Sequence, residues 1–172
     1  FLTHAHSDHA LGLSFFRPMF LPGWTIDVYM PKWDPDLLER WFDGTAFPVA
    51  YQYLKASINI HLVGPGHELT LVEGKITVRT LAAEHPGGCM AYKVYADGEV
   101  FLYTGDHEIT GQNENCRLSL AMLDVVTTAV VDASYSRSDY RAGWGHAAWE
   151  DWVDLVAEAD VNSTVLTHHS PN

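Results

Sequence analysis

Apolar and polar residues alternate through much of the chain, and glycine and proline cut the alternation into short strands. Thr25 to Met30 puts Ile26, Val28 and Met30 on one face and stops at Pro31. Runs of the same kind cover Ser57 to Leu62, Glu68 to Val72, Ile76 to Leu81, Cys89 to Tyr95 and Val100 to Thr104. Gly64-Pro65-Gly66, Glu73-Gly74, Pro86-Gly87-Gly88 and Asp97-Gly98 part them as turns. Thr128 to Val131 reads as a buried strand and Ser163 to Thr167 as the last one. Helical spacing governs His146 to Ala159, where Trp149, Trp152, Val153, Val156 and Ala157 form one apolar face. Shorter helices are expected over Ala10 to Phe16, ended by Arg17-Pro18, and over Leu118 to Leu123. Another spans Asp34 to Phe42, with Asp34 as N-cap and Pro35 in the first helical position. Strands in the middle and helices at the flanks predict sheet layers covered by helices, an α/β (α+β) architecture in one domain over residues 1–172.

Composition agrees with one packed domain: 47% of the 172 residues are hydrophobic, and no repeat or long polar tract interrupts them. No apolar run reaches the roughly 18–20 residues that a membrane span needs. Cys89 and Cys116 are too few for a disulfide framework and read as reduced thiols. Phe1-Leu2-Thr3-His4 lacks the basic start of a signal peptide, and the reduced thiols point to a cytoplasmic location. The net charge of −12, from 22 acidic and 10 basic residues, argues against an extended grip on nucleic acid, which requires clustered cations. It leaves room for bound cations and for one small phosphate ester.

The chemistry starts at His4-Ala5-His6-Ser7-Asp8-His9, three imidazoles and a carboxylate in six residues. Residues two apart on a strand share a face, so His4 and His6 can reach one ion. A turn after them would let Asp8 and His9 serve a second. Imidazole nitrogen and carboxylate oxygen suit zinc, with iron or manganese also accommodated. The apolar flanks, Ala10-Leu11-Gly12-Leu13 among them, distinguish the segment from a solvated histidine loop. Phe1-Leu2-Thr3 reads as a strand with almost nothing before it to pair with, so an upstream part of the native protein, with further N-terminal strands, is expected.

Three later residues stand where a strand meets a loop, a common place for a site on a rigid scaffold. They are His85 before Pro86-Gly87-Gly88, Asp106 after Gly105, and His168 after the last strand. Each alone has an ordinary explanation as a structural histidine or a turn aspartate. Together they supply the further ligands that two ions require. His61 and His67 flank a turn and read as surface or packing residues, and His107 as a neighbour of the site. Glu84 and Asp132 could accept from metal-bound imidazoles, though an ordinary loop carboxylate is the simpler reading of both.

The pattern His4-x-His6-x-Asp8-His9, with a later His, a Gly-Asp and a strand-end His, resembles the metallo-β-lactamase superfamily over nearly the whole chain. The resemblance implies an αββα sandwich with a dinuclear site on one edge. It places His4, His6 and His85 on one metal, Asp8, His9 and His168 on the other, and Asp106 as the bridge. Leu166-Thr167-His168-His169-Ser170-Pro171 is similar to the strand-end stretch of the ribonuclease Z branch, in which the first His is the ligand. Gly145-His146-Ala147-Ala148-Trp149-Glu150 resembles that branch's motif whose His protonates the leaving group. Here Ala147-Ala148 replaces the branch's Ser-Thr, and a helix-capping role for His146 is the competing reading.

The function implied is a metal-dependent hydrolase, and the phosphodiesterase branch is the expected one. Two divalent ions, zinc by preference, lower the pKa of a water towards about 7. Asp8 would orient that water or take its proton, and His146 would donate to the departing alkoxide. The short His85-to-Asp106 stretch leaves no room for the long substrate arm of ribonuclease Z, so a small phosphodiester is expected rather than a transfer RNA. A lactone or lactam hydrolase is the alternative enzyme, and a non-catalytic metal-binding regulatory module the alternative of another class.

Overall fold

Alternating apolar residues do pair into sheets, and the pairing decides which loops can meet. The structure is a computed structural model and describes residues 1–110 and 114–170. Two compact units divide the chain, Phe1–Gly64 and Pro65–Asn172.

In the first unit, β1 (Thr25–Pro31) pairs in parallel with β2 (Ser57–Val63), from Thr25 opposite Ser57 to Pro31 opposite Val63. Pro31 is thus the last strand residue rather than the stop after it. Val28 and Met30 point inward and join Met19, Leu37, Leu38 and Phe42 in a buried core. The helix expected from Asp34 is shorter: α2 runs Leu37–Trp41, and Asp36 precedes it without a side-chain cap. Asp34 instead accepts from the Arg40 guanidinium at 2.9 Å. An ion pair with a residue one turn inside the helix competes with the capping bond, and Asp34 takes it.

Before β1, the chain makes one turn of α-helix, α1 (Ser7–Ala10), and then tightens into a 3₁₀ turn over Leu11–Phe15. Phe1-Leu2-Thr3 is extended without counting as a strand. The Leu2 N–H donates to Tyr29 O at 2.9 Å, and the Phe1 ring stacks on Tyr29 at 4.6 Å.

The second unit is built on one six-stranded sheet in sequence order. β3 (Glu68–Leu71), β4 (Ile76–Ala83), β5 (Cys89–Ala96) and β6 (Glu99–Tyr103) form an antiparallel meander. β7 (Thr128–Asp132) and β8 (Ser163–Thr167) then add in parallel to β6. Parallel neighbours need crossovers, and α3 (Glu114–Met122) and α4 (Trp149–Glu158) provide them. Trp152 and Leu155, three apart on α4, pack with Met122 and Leu123 on Leu102, Ala129 and Val131 of the sheet. The helix begins at Trp149, so His146 lies outside it and Ala148 is the cap residue. His146 therefore does not cap α4.

Strand direction sets the position of the chemistry. β4, β6, β7 and β8 all run the same way, so their carboxyl ends lie along one edge of the sheet. His85, Asp106, Asp132 and His168 are the residues at or just past those four ends. Open sheets with parallel strands gather ligand-binding loops at this edge.

Candidate metal centre

The first unit contributes a histidine cluster around α1. The His4 ring is 4.5 Å from that of His6 and 4.4 Å from that of His9, centroid to centroid. His4 is buried and its Nδ1 is 3.1 Å from Thr3 Oγ1. The N–H groups of His9 and Ala10 donate back to His6 O at 3.1 and 3.0 Å, and this turn folds His9 over His4. Asp8 Oδ2 lies 3.3 Å from His9 Nε2 with the Asp8 side chain largely exposed. Two imidazoles thus lie beside the buried His4 ring, and ring nitrogens grouped in this way are of a type that ligates metal.

In the second unit the strand-end residues converge on Asp106. Its carboxylate, 2% exposed, has Oδ2 3.8 Å from His85 Nε2 and Oδ1 3.5 Å from His168 Nε2. One carboxylate oxygen thus faces each imidazole. The other ring nitrogen of each is held by a hydrogen bond. His85 Nδ1 is 2.9 Å from Gly145 O, and a carbonyl only accepts, so Nδ1 is the donor and Nε2 is the nitrogen turned to Asp106. Ser134 Oγ donates its single proton to His168 O at 2.7 Å and therefore accepts from His168 Nδ1 at 2.8 Å. The Nε2 of His168 is likewise turned to Asp106. His168 holds φ 60°, a left-handed conformation that costs a non-glycine residue roughly 1–3 kcal/mol. The two bonds to Ser134 hold the residue there. Neighbouring His169 is exposed.

Asp132 is fully buried and is more than a loop carboxylate. Its Oδ2 accepts from His146 Nδ1 at 2.8 Å and from the His107 N–H at 3.1 Å, while Oδ1 accepts from the Ser134 N–H at 3.0 Å. The His146 ring so oriented stacks on His168 at 5.0 Å and lies 5.3 Å from His85. Ligand atoms of Asp106, Asp132, His146 and His168 all fall within 4.8 Å of one another. Asp132 is occupied by three N–H donors, which makes it the group that orients His146.

Other residues hold the strand ends in register. His107 Nδ1 accepts from the Glu84 N–H at 2.9 Å, so its Nε2–H donates to Ser119 Oγ on α3 at 2.7 Å. Burial pulls the His107 pKa down to about 4, which keeps this clip neutral. Glu84 serves through its backbone, its carbonyl accepting from the Glu108 N–H at 2.8 Å, while its side chain is exposed. Glu108 fastens the loop before α4. Its Oε1 accepts from Tyr140 Oη at 2.6 Å and the Gly143 N–H at 2.7 Å, and Oε2 from the Gly145 N–H at 2.7 Å. Burial alone would raise the Glu108 pKa, but those bonds outweigh it and hold the carboxyl below its usual range. Gly145 cannot be replaced without a shift, because a Cβ there would collide with His85 Nδ1 and Pro86 Cδ. Sequence reasoning misses Glu108, Ser134, Ser119 and Gly145. Adjacency to Asp106 and Asp132 is the one signal that favours the first two.

His61 and His67 lie elsewhere. His61 bonds Asp27 Oδ1 at 2.8 Å and stacks on Tyr29, and His67 is exposed at the start of β3. Pro171, the end of the stretch that begins at Leu166, lies outside the described residues.

A mixed α/β unit with histidines and aspartates gathered at the carboxyl ends of its parallel strands, and a second histidine cluster on a turn before β1, define a metallo-β-lactamase type of protein. Solved structures of this fold match nearly the whole chain. Human tRNase Z, short form, is 17% identical with a TM-score of 0.74, over 98% of this chain and 71% of its own. The metallo-β-lactamase fold protein YhfI from Bacillus subtilis is 19% identical with a TM-score of 0.72, over 99% and 64%. A diphosphatase from the PhnP family is 19% identical with a TM-score of 0.67, over 98% and 58%. The chain therefore spans less than two thirds of the length of two of these three proteins. No curated protein matches the chain significantly in sequence. The family model described as the beta-lactamase superfamily domain matches residues 1–169, and the chain belongs to that family.

Proposed function

We propose that this chain is the metal-binding core of a dinuclear, metal-dependent hydrolase that acts on a small phosphodiester. The observation that carries the reading is the Asp106 carboxylate, one oxygen facing Nε2 of His85 and the other Nε2 of His168. Imidazole nitrogens on either side of a buried carboxylate are a donor set suited to zinc, with iron or manganese as alternatives. In this proposal His4, His6 and His85 serve one ion, Asp8, His9 and His168 the other, and Asp106 both. When bound, the ions supply an acidified water and stabilise the charge that develops on phosphorus oxygens.

The chain's own groups divide the remaining work. Asp8 positions the attacking water or takes its proton. His146, held by Asp132 through Nδ1, presents Nε2 beside His168 and His85, where a proton can pass to the departing alkoxide. Gly145 O and Ser134 Oγ keep the two ligand rings from turning. The His146–Asp132 pair suits a reaction whose departing alkoxide must be protonated, as in cleavage of an alkyl phosphodiester. Two of the proteins similar in fold are named for phosphorus–oxygen bond cleavage, a tRNase and a diphosphatase.

Zinc-loaded protein assayed on bis-p-nitrophenyl phosphate and on a panel of lactones tests the reading. Turnover of the phosphodiester, abolished by Asp106→Ala, is expected. Hydrolysis confined to lactones would move the assignment to the carbonyl branch, and metal uptake with no turnover of any ester would favour a regulatory module.

A further inference from the structure

We propose that a cavity beside the strand-end cluster binds the non-reacting part of the substrate, and that this part is a flat heteroaromatic ring stacked on Trp144, with an anionic or hydrogen-bonding group facing Arg141. The inference rests on the phosphodiester reading and narrows it to nucleotide-like esters.

The cavity measures about 560 Å³ and is lined by Ser134, Tyr135, Asp139, Arg141, Trp144 and Ser170. It adjoins the chemistry at three points. Ser134 Oγ is the group that holds His168, the Tyr135 ring lies 6.1 Å from that of His146, and Ser170 follows His168 by two residues. Trp144 is 60% exposed, whereas Trp152 in the same unit is fully buried. Loop slack does not explain that exposure. Gly143 and Gly145 on either side of the indole are both bonded to Glu108, and the Trp144 N–H closes a turn onto Arg141 O at 3.3 Å. The loop is fastened from beneath and presents the indole outward.

The Arg141 guanidinium lies over one face of the Trp144 ring, 5.4 Å from its centroid, so a ligand ring would stack on the other face with the cation close by. The acid in the lining, Asp139, already accepts from Ser136 Oγ at 2.6 Å. A guanidinium on a chain of net charge −12 is a specific point of attraction for an anionic group. An indole face is tolerant of ring identity and demands only planarity, the property of a nucleobase. The hydroxyls of Tyr135 and Ser170 complete a wall suited to sugar oxygens.

Two phosphodiesters that share one leaving group test the subsite: the p-nitrophenyl ester of thymidine 5′-monophosphate, and methyl p-nitrophenyl phosphate. In the zinc-loaded chain, Trp144→Ala should lower the ratio of kcat/KM for the thymidine ester over the methyl ester by roughly 10-fold, mostly through KM. Arg141→Ala should lower the same ratio. A ratio unchanged within about twofold in both variants would overturn the subsite. If the native chain hydrolyses neither ester, the phosphodiester reading fails, and the subsite is then judged by calorimetric titration with adenosine 5′-monophosphate. Affinity weakened roughly 10-fold in Trp144→Ala supports it; no binding, or equal binding in both proteins, rejects it.

Discussion

Two nitrogens on each imidazole separate the roles of the histidines. His85 and His168 give their Nδ1 protons to backbone and hydroxyl oxygens and turn Nε2 to Asp106, while His146 gives its Nδ1 proton to Asp132. In the proposed reading the first two are ligands and the third is a proton carrier. His146→Ala should therefore slow cleavage of a phosphodiester with a poor leaving group by about 10²–10⁴-fold and spare one with a p-nitrophenolate leaving group. Equal losses on both in steady-state assays would exclude the donor role. Gly145→Ala, which drives a methyl group into His85 Nδ1, should weaken zinc affinity by roughly 10–100-fold in a competition titration. Unchanged affinity would mean that the Gly145 carbonyl does not set the His85 ring. The cluster from His4 to His9 was legible in the sequence because its members are neighbours. Glu108 and Ser134 were not, because the partners of their side chains lie 32–37 and 34 residues away and the bonds exist only once the loop is folded.

Strand direction explains at the level of elements why the apolar runs pick out His85, Asp106 and His168 singly, while their assignment to one site comes from the family resemblance. Each follows an apolar run, which marks a strand end. That four such ends share an edge depends on β4, β6, β7 and β8 running the same way, a property of pairing that no single run encodes. Strand positions were read nearly to the residue, since alternation persists to their last residues. Helix boundaries were read less well. α3 begins at Glu114 rather than Leu118, and α4 at Trp149 rather than His146, because Tyr135 O accepts from the Trp149 N–H and holds the preceding residues extended. α4 is fixed to the sheet chiefly by Trp152, which is fully buried against that core and whose ring lies 5.5 Å from that of His107. Trp152→Ala should cost about 3–5 kcal/mol in urea unfolding and loosen the His107 clip with it. A loss under about 1 kcal/mol would show that α4 is held by its exposed contacts instead.

Over the whole molecule, a net charge of −12 sits on a chain whose buried polar groups include His4, His85, Asp106 and Asp132. Two divalent ions would offset about 4 of those charges. No helix among the described residues is long and apolar enough to cross a membrane. Because ligands must be folded to converge, metal that binds the native state stabilises it by mass action. The most direct test of the account is the metal content of the purified chain after dialysis against zinc, measured by elemental analysis alongside its melting temperature. Two zinc ions per chain, lost on chelation together with a drop in Tm and reduced in number by Asp106→Ala, are the predicted result. A chain that retains no metal, and melts at the same temperature with and without chelator, would contradict it.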